Sequence, residues 1–176
     1  SAWADFDDGV EAYNRGDYAT ALQEFRPLAE QGYAKAQFNL GFMYDNGKGV
    51  PGNHTEAAKW YRKAADQGDV MAQYSLGGMY FRGEGVSQNF TEAVKWFRKA
   101  AEQGDAYAQV NLGFMYGTGE GVPMNYVKAY MWYSLAKAQG NEDATKGLYI
   151  IEKEMNTAQI AKAEALAAEW WEKHNN

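Results

Sequence analysis

The sequence predicts an all-α fold, a solenoid of about five antiparallel helix pairs in a single domain over residues 1–176. Three observations lead to this prediction: a repeat of 36 residues, apolar residues at helical spacing within each repeat, and glycine-rich turns between the helices. A repeat of this length is typical of stacked helix pairs, because each pair can bury its apolar face only against its neighbours.

The repeat is marked by identical residues at a constant step of 36. They form a glycine series and a leucine series, namely Gly32, Gly68, Gly104 and Gly140, and Leu40, Leu76, Leu112 and Leu148. Aligned on these residues, the predicted units are an N-terminal pair over 5–32, three repeats over 33–68, 69–104 and 105–140, and a closing pair over 141–173.

The first helix of a repeat, called helix A, is predicted by apolar residues at i, i+4, i+7 and i+8. In the second repeat these are Ala72, Leu76, Met79 and Tyr80. The following helix, called helix B, has its own apolar face with helical spacing. Its apolar residues in the same repeat are Ala93, Trp96, Phe97, Ala100 and Ala101.

Capping residues predict where helix B begins and ends. Asn53 precedes Glu56 by three positions, and Asn89 precedes Glu92 in the same way, which is the pattern of a capping box at a helix start. The glycine series follows helix B, where glycine accepts the left-handed conformation that ends many helices.

Further glycines lie in the turn and inside helix A. The turn between the helices reads Gly-x-Gly-Val, starting at Gly47, Gly83 and Gly119, and its two glycines permit a sharp reversal. Helix A contains an internal glycine at Gly41, Gly77 and Gly113. Because glycine inside a helix costs about 1 kcal/mol relative to alanine, we expect a neighbouring helix to approach closely there.

The two ends differ from the repeats as terminal caps of a solenoid should. The N-terminal pair has a shorter turn, and the closing pair is predicted to have its last helix begin near Asn156 or Thr157. The side chains of this helix that are predicted to face inward are Ile160, Ala163, Ala167 and Trp170.

Composition excludes several classes of function. A net charge of -6 would repel a phosphate backbone, so we expect no nucleic-acid partner. No apolar run approaches the roughly 20 residues of a membrane span, so we expect no membrane insertion. The chain has no Cys, and its two histidines, His54 and His174, lack a second ligand at metal-binding spacing, so we expect no metal and no cofactor. A monomer is expected.

The repeat pattern A-x-x-L-G-x-M-Y-x-x-G-x-G-V, followed by N-x-x-E-A-x-K-W-x-x-K-A-A-x-Q-G, resembles that of the Sel1-like repeat family of the tetratricopeptide-repeat-like superfamily. The resemblance covers roughly residues 34–140, and residues 9–32 resemble a plain tetratricopeptide repeat. It implies a right-handed α/α superhelix with helix A on the concave surface. It also implies a non-catalytic adaptor or scaffold role, commonly in bacterial envelope or signalling complexes.

The chain starts at Ser1 without a Met. With the resemblance, this leads us to expect a bacterial protein of the periplasm or one that is secreted, and a cytoplasmic location is the alternative.

Two other functions remain as alternatives. Ser134 and Lys137 form an S-x-x-K sequence, the spacing found in penicillin-interacting enzymes, so a β-lactamase-like or related hydrolase is one of them. The accompanying motifs of those enzymes are absent from the sequence, and a solvated helix B surface explains the pair. The second alternative is a structural assembly module that uses the outer face of helix B.

The main hypothesis is a protein or peptide partner bound in a concave aromatic groove. The groove should be lined by three positions of each A helix, counted from its internal glycine: three residues before it, one after it and four after it. The glycines used for this count are Gly9, Gly41, Gly77 and Gly113. With neighbouring polar side chains, the predicted contacts are Phe6, Val10, Tyr13, Phe38, Asn39, Phe42, Tyr74, Phe81, Val110, Asn111 and Phe114. Soluble proteins rarely expose large apolar patches unless they bind something. Gly78 is expected to leave a notch for a ligand side chain. The competing interpretation is that these aromatic rings pack between repeats.

Overall fold

The computed structural model describes residues 2–175, and over these residues the chain forms ten α-helices and no β-strand. The helices are α1 Ala2–Asn14, α2 Tyr18–Glu30, α3 Ala34–Asn46, α4 His54–Asp66, α5 Val70–Arg82, α6 Phe90–Glu102, α7 Ala106–Thr118, α8 Tyr126–Ala138, α9 Glu142–Glu152 and α10 Thr157–Asn175. The predicted all-α fold of repeated helix pairs is confirmed, as is the start of the last helix at Thr157.

The chain divides into two compact units, Ser1–Gln88 and Asn89–Asn176. In the first unit α1 packs on α2, α2 on α3, α3 on α4 and α4 on α5. In the second unit α7 packs on α6 and α8, α9 packs on α7 and α8, and α10 returns to pack on α8. The single domain over residues 1–176 stays a prediction.

The core of each unit consists of the apolar faces of its A and B helices. In the first unit Leu40 and Met43 of α3 are fully buried, and in the second unit Leu112 and Met115 occupy the same positions of α7. In the closing helix α10, Ala163 and Ala167 are buried, as predicted, whereas the other two inward positions are half-buried.

Both predicted capping asparagines, Asn53 and Asn89, cap their helices, and the box at Asn53 is only half formed. The Asn53 side-chain oxygen accepts a hydrogen bond from the Glu56 N–H at 3.1 Å, so Asn53 does cap α4. Glu56 does not return the bond, because the Asn53 N–H donates to the Tyr44 carbonyl at 2.9 Å while the Glu56 carboxylate pairs with Lys59. The reciprocal box forms instead between residues 156 and 159, where both bonds measure 2.9 Å.

The Gly-x-Gly turns take the left-handed conformation at both glycines. In the first repeat Gly47 has φ 62° and ends α3, and Gly49 has φ 71°. Gly49 also lies so close to the backbone of α2 that a Cβ would be 2.7 Å from the Tyr18 carbonyl oxygen. A side chain is therefore disfavoured there both by conformation and by space.

The close approach predicted at the internal glycine of helix A is made by an aromatic ring. A Cβ on Gly41 would lie 2.8 Å from Cδ1 of Tyr61, and a Cβ on Gly113 would lie 2.9 Å from Cδ1 of Tyr133. In both repeats the tyrosine comes from the helix B paired with that helix A. The glycine therefore makes room for the tyrosine ring. This packing fixes the position of helix A, which carries the predicted contact residues, relative to its helix B.

Candidate functional site

The predicted contact residues of α1 lie mostly against the core of the first unit. The Phe6 ring centroid is 5.6 Å from that of Phe25, and Tyr13 meets Tyr18 at 5.1 Å. Phe6, Val10 and Tyr13 are half-buried and pack around Phe25 and its buried neighbours. For these three side chains the contacts are those of intramolecular packing.

On α3 the aromatic side chains form a partly open surface. The Phe42 ring lies 6.2 Å from both Phe38 and Tyr13, centroid to centroid, and Phe38 lies 5.7 Å from Tyr61. Phe42 is 38% exposed, whereas Phe38 and Asn39 are half-buried. Phe42 is therefore the aromatic residue of this helix most accessible to a partner.

Asp45, one helical turn beyond Gly41, is held by two side chains of α4. Its carboxylate lies 2.7 Å from Nδ1 of His54 and accepts a hydrogen bond from the Tyr61 hydroxyl at 3.3 Å. Burial, and then repulsion from the Asp45 carboxylate, raise the pKa of the Tyr61 phenol. This cluster was not predictable from residue spacing, because Asp45 and His54 lie in different helices separated by the turn.

On α5 the predicted notch at Gly78 is covered. Tyr74 and Phe81 are half-buried, and Gly78 is buried. Nη1 of Arg82 lies 3.0 Å from the position that a Cβ on Gly78 would occupy. The Arg82 side chain is held there by Glu84, whose carboxylate accepts a hydrogen bond from Nε of Arg82 at 2.7 Å. The prediction of an open notch there is wrong, because a long side chain one turn away occupies the space.

In the second unit the exposed aromatic residues of α7 include Phe114 and, at the start of the helix, Tyr107. Phe114, the counterpart of Phe42, is 40% exposed, and Val110 is half-buried. The Asn111 side-chain amide donates to the Tyr107 carbonyl of its own helix at 3.1 Å. The role of Asn111 as a contact of the partner stays a prediction, and its amide donor is engaged within α7.

Next to Phe114 lies an apolar cleft of about 350 Å³, called here the α7–α9 cleft. The residues that define it are Phe114, Gly117, Tyr126, Tyr133, Ile150 and Glu154. The Tyr133 ring forms its floor and covers two glycines, since a Cβ on Gly147 of α9 would also lie 2.5 Å from Cζ of Tyr133. Burial raises the pKa of the Tyr133 phenol to about 12. Glycine positions in two different helices produce this cleft, which was not predicted from the sequence.

A second feature missed from the sequence is a network of buried glutamines. Nε2 of Gln37 donates to the Ala29 carbonyl at 3.1 Å, and Oε1 of Gln37 accepts from Gln67 at 2.7 Å. Gln67 also donates to the Gly32 carbonyl at 2.9 Å. In the second unit Gln109 and Gln139 make the same bonds to Ala101 and Gly104, at 3.0–3.2 Å. The recurrence of Gln at a step of 36 was the available signal.

The other candidate chemistries have these positions. Ser134 is half-buried on α8, and Lys137 is exposed one turn later. Among the described residues there is no group of three or more His, Cys, Asp or Glu placed to hold a metal ion. In the described part of the chain, no helix is both long and apolar enough to cross a bilayer.

The family model described as Sel1 repeat matches residues 34–69, 70–105 and 106–141, which together make up more than half of the chain. These boundaries fall one residue later than those expected from the sequence. Among curated proteins, DAP3-binding cell death enhancer 1 of Rattus norvegicus is 42% identical over 43 residues, or 24% of this chain and only 8% of that protein. The Mus musculus protein of the same name matches equally.

Two solved structures are similar over nearly the whole chain. A Sel1 repeat protein from Oxalobacter formigenes is 35% identical with a TM-score of 0.79, covering 94% of this chain and 69% of that one. A protective antigen of uropathogenic Escherichia coli that displays an SLR fold is 31% identical with a TM-score of 0.70, covering 99% of this chain and 46% of that one. Cysteine rich protein B of Helicobacter pylori, at 24% identity and a TM-score of 0.55, shares the fold.

Proposed function

The chain belongs to the Sel1 repeat family, whose members generally mediate protein–protein interactions, and we propose that it is a non-catalytic binding module for an extended peptide or a helix of a partner protein. The proposed contact surface is the exposed part of the predicted set on the A helices. It is centred on Phe42 in the first unit and on Phe114 in the second.

One observation carries this proposal. Phe42 and Phe114 occupy the same position of the first and third repeats and are 38% and 40% exposed, while the leucine and methionine on either side of each are fully buried. A Phe ring that keeps this much exposed surface gains less from folding than a fully buried one. Aromatic side chains are, in contrast, the usual anchors of protein interfaces.

The test is a pull-down with wild-type protein and a Phe42→Ser/Phe114→Ser double variant, using lysate of the source organism. We expect a specific partner that the double variant loses. Met124→Ser is the matched control, because it removes an exposed apolar side chain of the α7–α8 turn outside the proposed surface. Equal binding by the wild type and the folded double variant would move the binding surface to the outer face of helix B.

The non-catalytic part of the proposal is tested separately. The pair of Ser134 and Lys137 is the only hydrolase candidate taken from the sequence. We expect no turnover of nitrocefin by the pure protein, and turnover that Ser134→Ala abolishes would replace the binding module with a hydrolase.

The remaining parts of the proposal concern partners, assembly and location. The net charge of -6 disfavours nucleic acid as a partner. We expect a monomer by light scattering. We further expect the protein in the periplasmic or secreted fraction of a bacterium, and its recovery with cytoplasmic markers would support the alternative location.

A further inference from the structure

The α7–α9 cleft exists because Gly117 carries no side chain. Gly117 lies four residues after Gly113, and the same position holds Asp45 in the first repeat and Phe81 in the second. A Cβ built on Gly117 would have ordinary contacts, 3.7 Å from Cγ2 of Ile151 and 3.9 Å from Cβ of Ala129. The third repeat therefore leaves open a space that a side chain could fill without strain.

The walls of the cleft suit one bulky apolar side chain. Its apolar surface comes from Phe114 of α7, Tyr133 of α8 and Ile150 of α9. The Ile150 side chain is 63% exposed. Ligand pockets in proteins measure about 300–1,000 Å³, so 350 Å³ lies at the small end of that range. This size favours a single anchor residue with part of its backbone over a larger organic ligand.

The charge at the cleft adds a second element of recognition. Of the described residues that line it, Glu154 is the only one with a charged side chain. It follows the C-terminal end of α9, where the helix dipole adds negative potential. Lys153, the residue before Glu154, has a positive charge that could pair with this carboxylate. Its Nζ instead lies over the Tyr149 ring, 4.1 Å from the ring centroid. A positive charge on the partner would therefore complement the Glu154 carboxylate.

From these features we infer that the α7–α9 cleft binds an aromatic or branched apolar side chain of a partner segment in which Lys or Arg is the next residue. This inference rests on the proposed function and adds a sequence preference to it. The apolar side chain enters between Phe114 and Ile150, and the adjacent cation pairs with Glu154. The exposed Phe114 ring becomes one wall of the pocket.

The probe is a short capped peptide with Phe-Lys between Gly and Ser residues, and the readout is the NMR signal of the Ile150 and Ile151 methyl groups. We expect saturable shifts with a dissociation constant in the millimolar range, as is reasonable for a single anchor. A peptide with Ser in place of Phe should produce no saturable shift. A peptide with Glu in place of Lys should bind several-fold more weakly.

Two variants separate pocket binding from a change in folding. Gly117→Leu fills the cleft and should weaken Phe-Lys binding at least about tenfold. Gly117→Ala is the matched control, because it raises helix propensity to nearly the same extent and leaves most of the cleft open. Glu154→Gln should abolish the preference for Lys over Glu and keep the requirement for Phe.

The outcomes distinguish this inference from the proposed function. Absence of methyl shifts with every peptide, or Phe-Lys binding that Gly117→Leu leaves unchanged, overturns the cleft as an anchor site. If the partner from the pull-down is lost with Phe42→Ser/Phe114→Ser but still binds Gly117→Leu normally, the binding module stands without this pocket. If neither variant affects that partner, the proposed A-helix surface fails as well.

Discussion

In the first repeat the tyrosine that covers the helix A glycine also donates a hydrogen bond to Asp45, whereas in the third repeat the equivalent tyrosine forms the floor of an open cleft beside Gly117. The ring packing is nearly the same in both, with distances of 2.8 and 2.9 Å from the glycine Cβ position to Tyr61 and Tyr133. The difference lies one helical turn later. The packing position is therefore shared by the two repeats, and the position one helical turn later differs between them.

The largest effect should come from removing the shared packing. We expect Tyr61→Ala and Tyr133→Ala each to lower the free energy of unfolding by about 3–5 kcal/mol, because each leaves a cavity over a glycine. Urea denaturation followed by circular dichroism measures this. A loss below about 1 kcal/mol for either variant would show that the two tyrosines are not equivalent packing residues.

Substituting the two glycines of α7 by alanine should change the free energy of unfolding by smaller amounts and in opposite directions. Gly113→Ala places a methyl group against Tyr133 and should cost about 1–3 kcal/mol through overpacking. Gly117→Ala meets only ordinary contacts and should stabilise the protein by about 1 kcal/mol through helix propensity. Thermal unfolding of the two variants checks the signs, and a gain for Gly113→Ala would contradict the packing described for the third repeat.

The hydroxyl groups should differ between the repeats. Tyr61→Phe removes a hydrogen bond to the Asp45 carboxylate and should cost about 1–2 kcal/mol at neutral pH. Tyr133→Phe should be within about 0.5 kcal/mol of the wild type, since its shift in pKa arises from burial alone. Equal costs in urea denaturation would mean that the Asp45 cluster adds nothing to the stability of the first unit.

The smallest expected difference is in stability at alkaline pH, between the wild type and Tyr133→Phe. Burial raises the pKa of Tyr133 to about 12, above the usual value of about 10, so between these values the unfolded chain loses a proton that the folded chain retains. The stability that this group contributes is present below pH 10 and is lost as the pH rises toward 12. Tyr133→Phe should therefore lose less stability than the wild type over that interval, and urea denaturation across the interval measures this.

The helices and their N-caps were predictable because they depend on residues within a few positions of one another. The close approach at the helix A glycine was predictable because glycine inside a helix is unfavourable unless a neighbour needs the space. The cleft was not, because it depends on where long side chains go. Gly78 and Gly117 look alike in the sequence, yet Arg82 covers the first, while the second stays open between α7 and α9. Similarly, Asp45 and His54 meet only after the turn has brought α3 and α4 together.

Buried glutamine was also unpredictable from residue type, since Gln is usually exposed. Gln37, Gln73 and Gln109 recur at the repeat step and are nearly inaccessible to solvent. Their burial is tolerated because each of the three side-chain amides donates a hydrogen bond to a backbone carbonyl. A recurring polar residue at a helix start is therefore a better signal than polarity alone.

The glutamine network restricts the lengths of insertions and deletions that the repeats can accept. Gln67 reaches back 35 residues to Gly32 and 30 residues to Gln37, and Gln139 spans the same intervals to Gly104 and Gln109. Duplication or deletion of a whole 36-residue segment leaves every such bond with a donor and an acceptor. A shift of one residue inside a helix would leave a buried amide unpaired. We expect homologous chains to differ in length by whole repeats, with other insertions confined to the Gly-x-Gly turns.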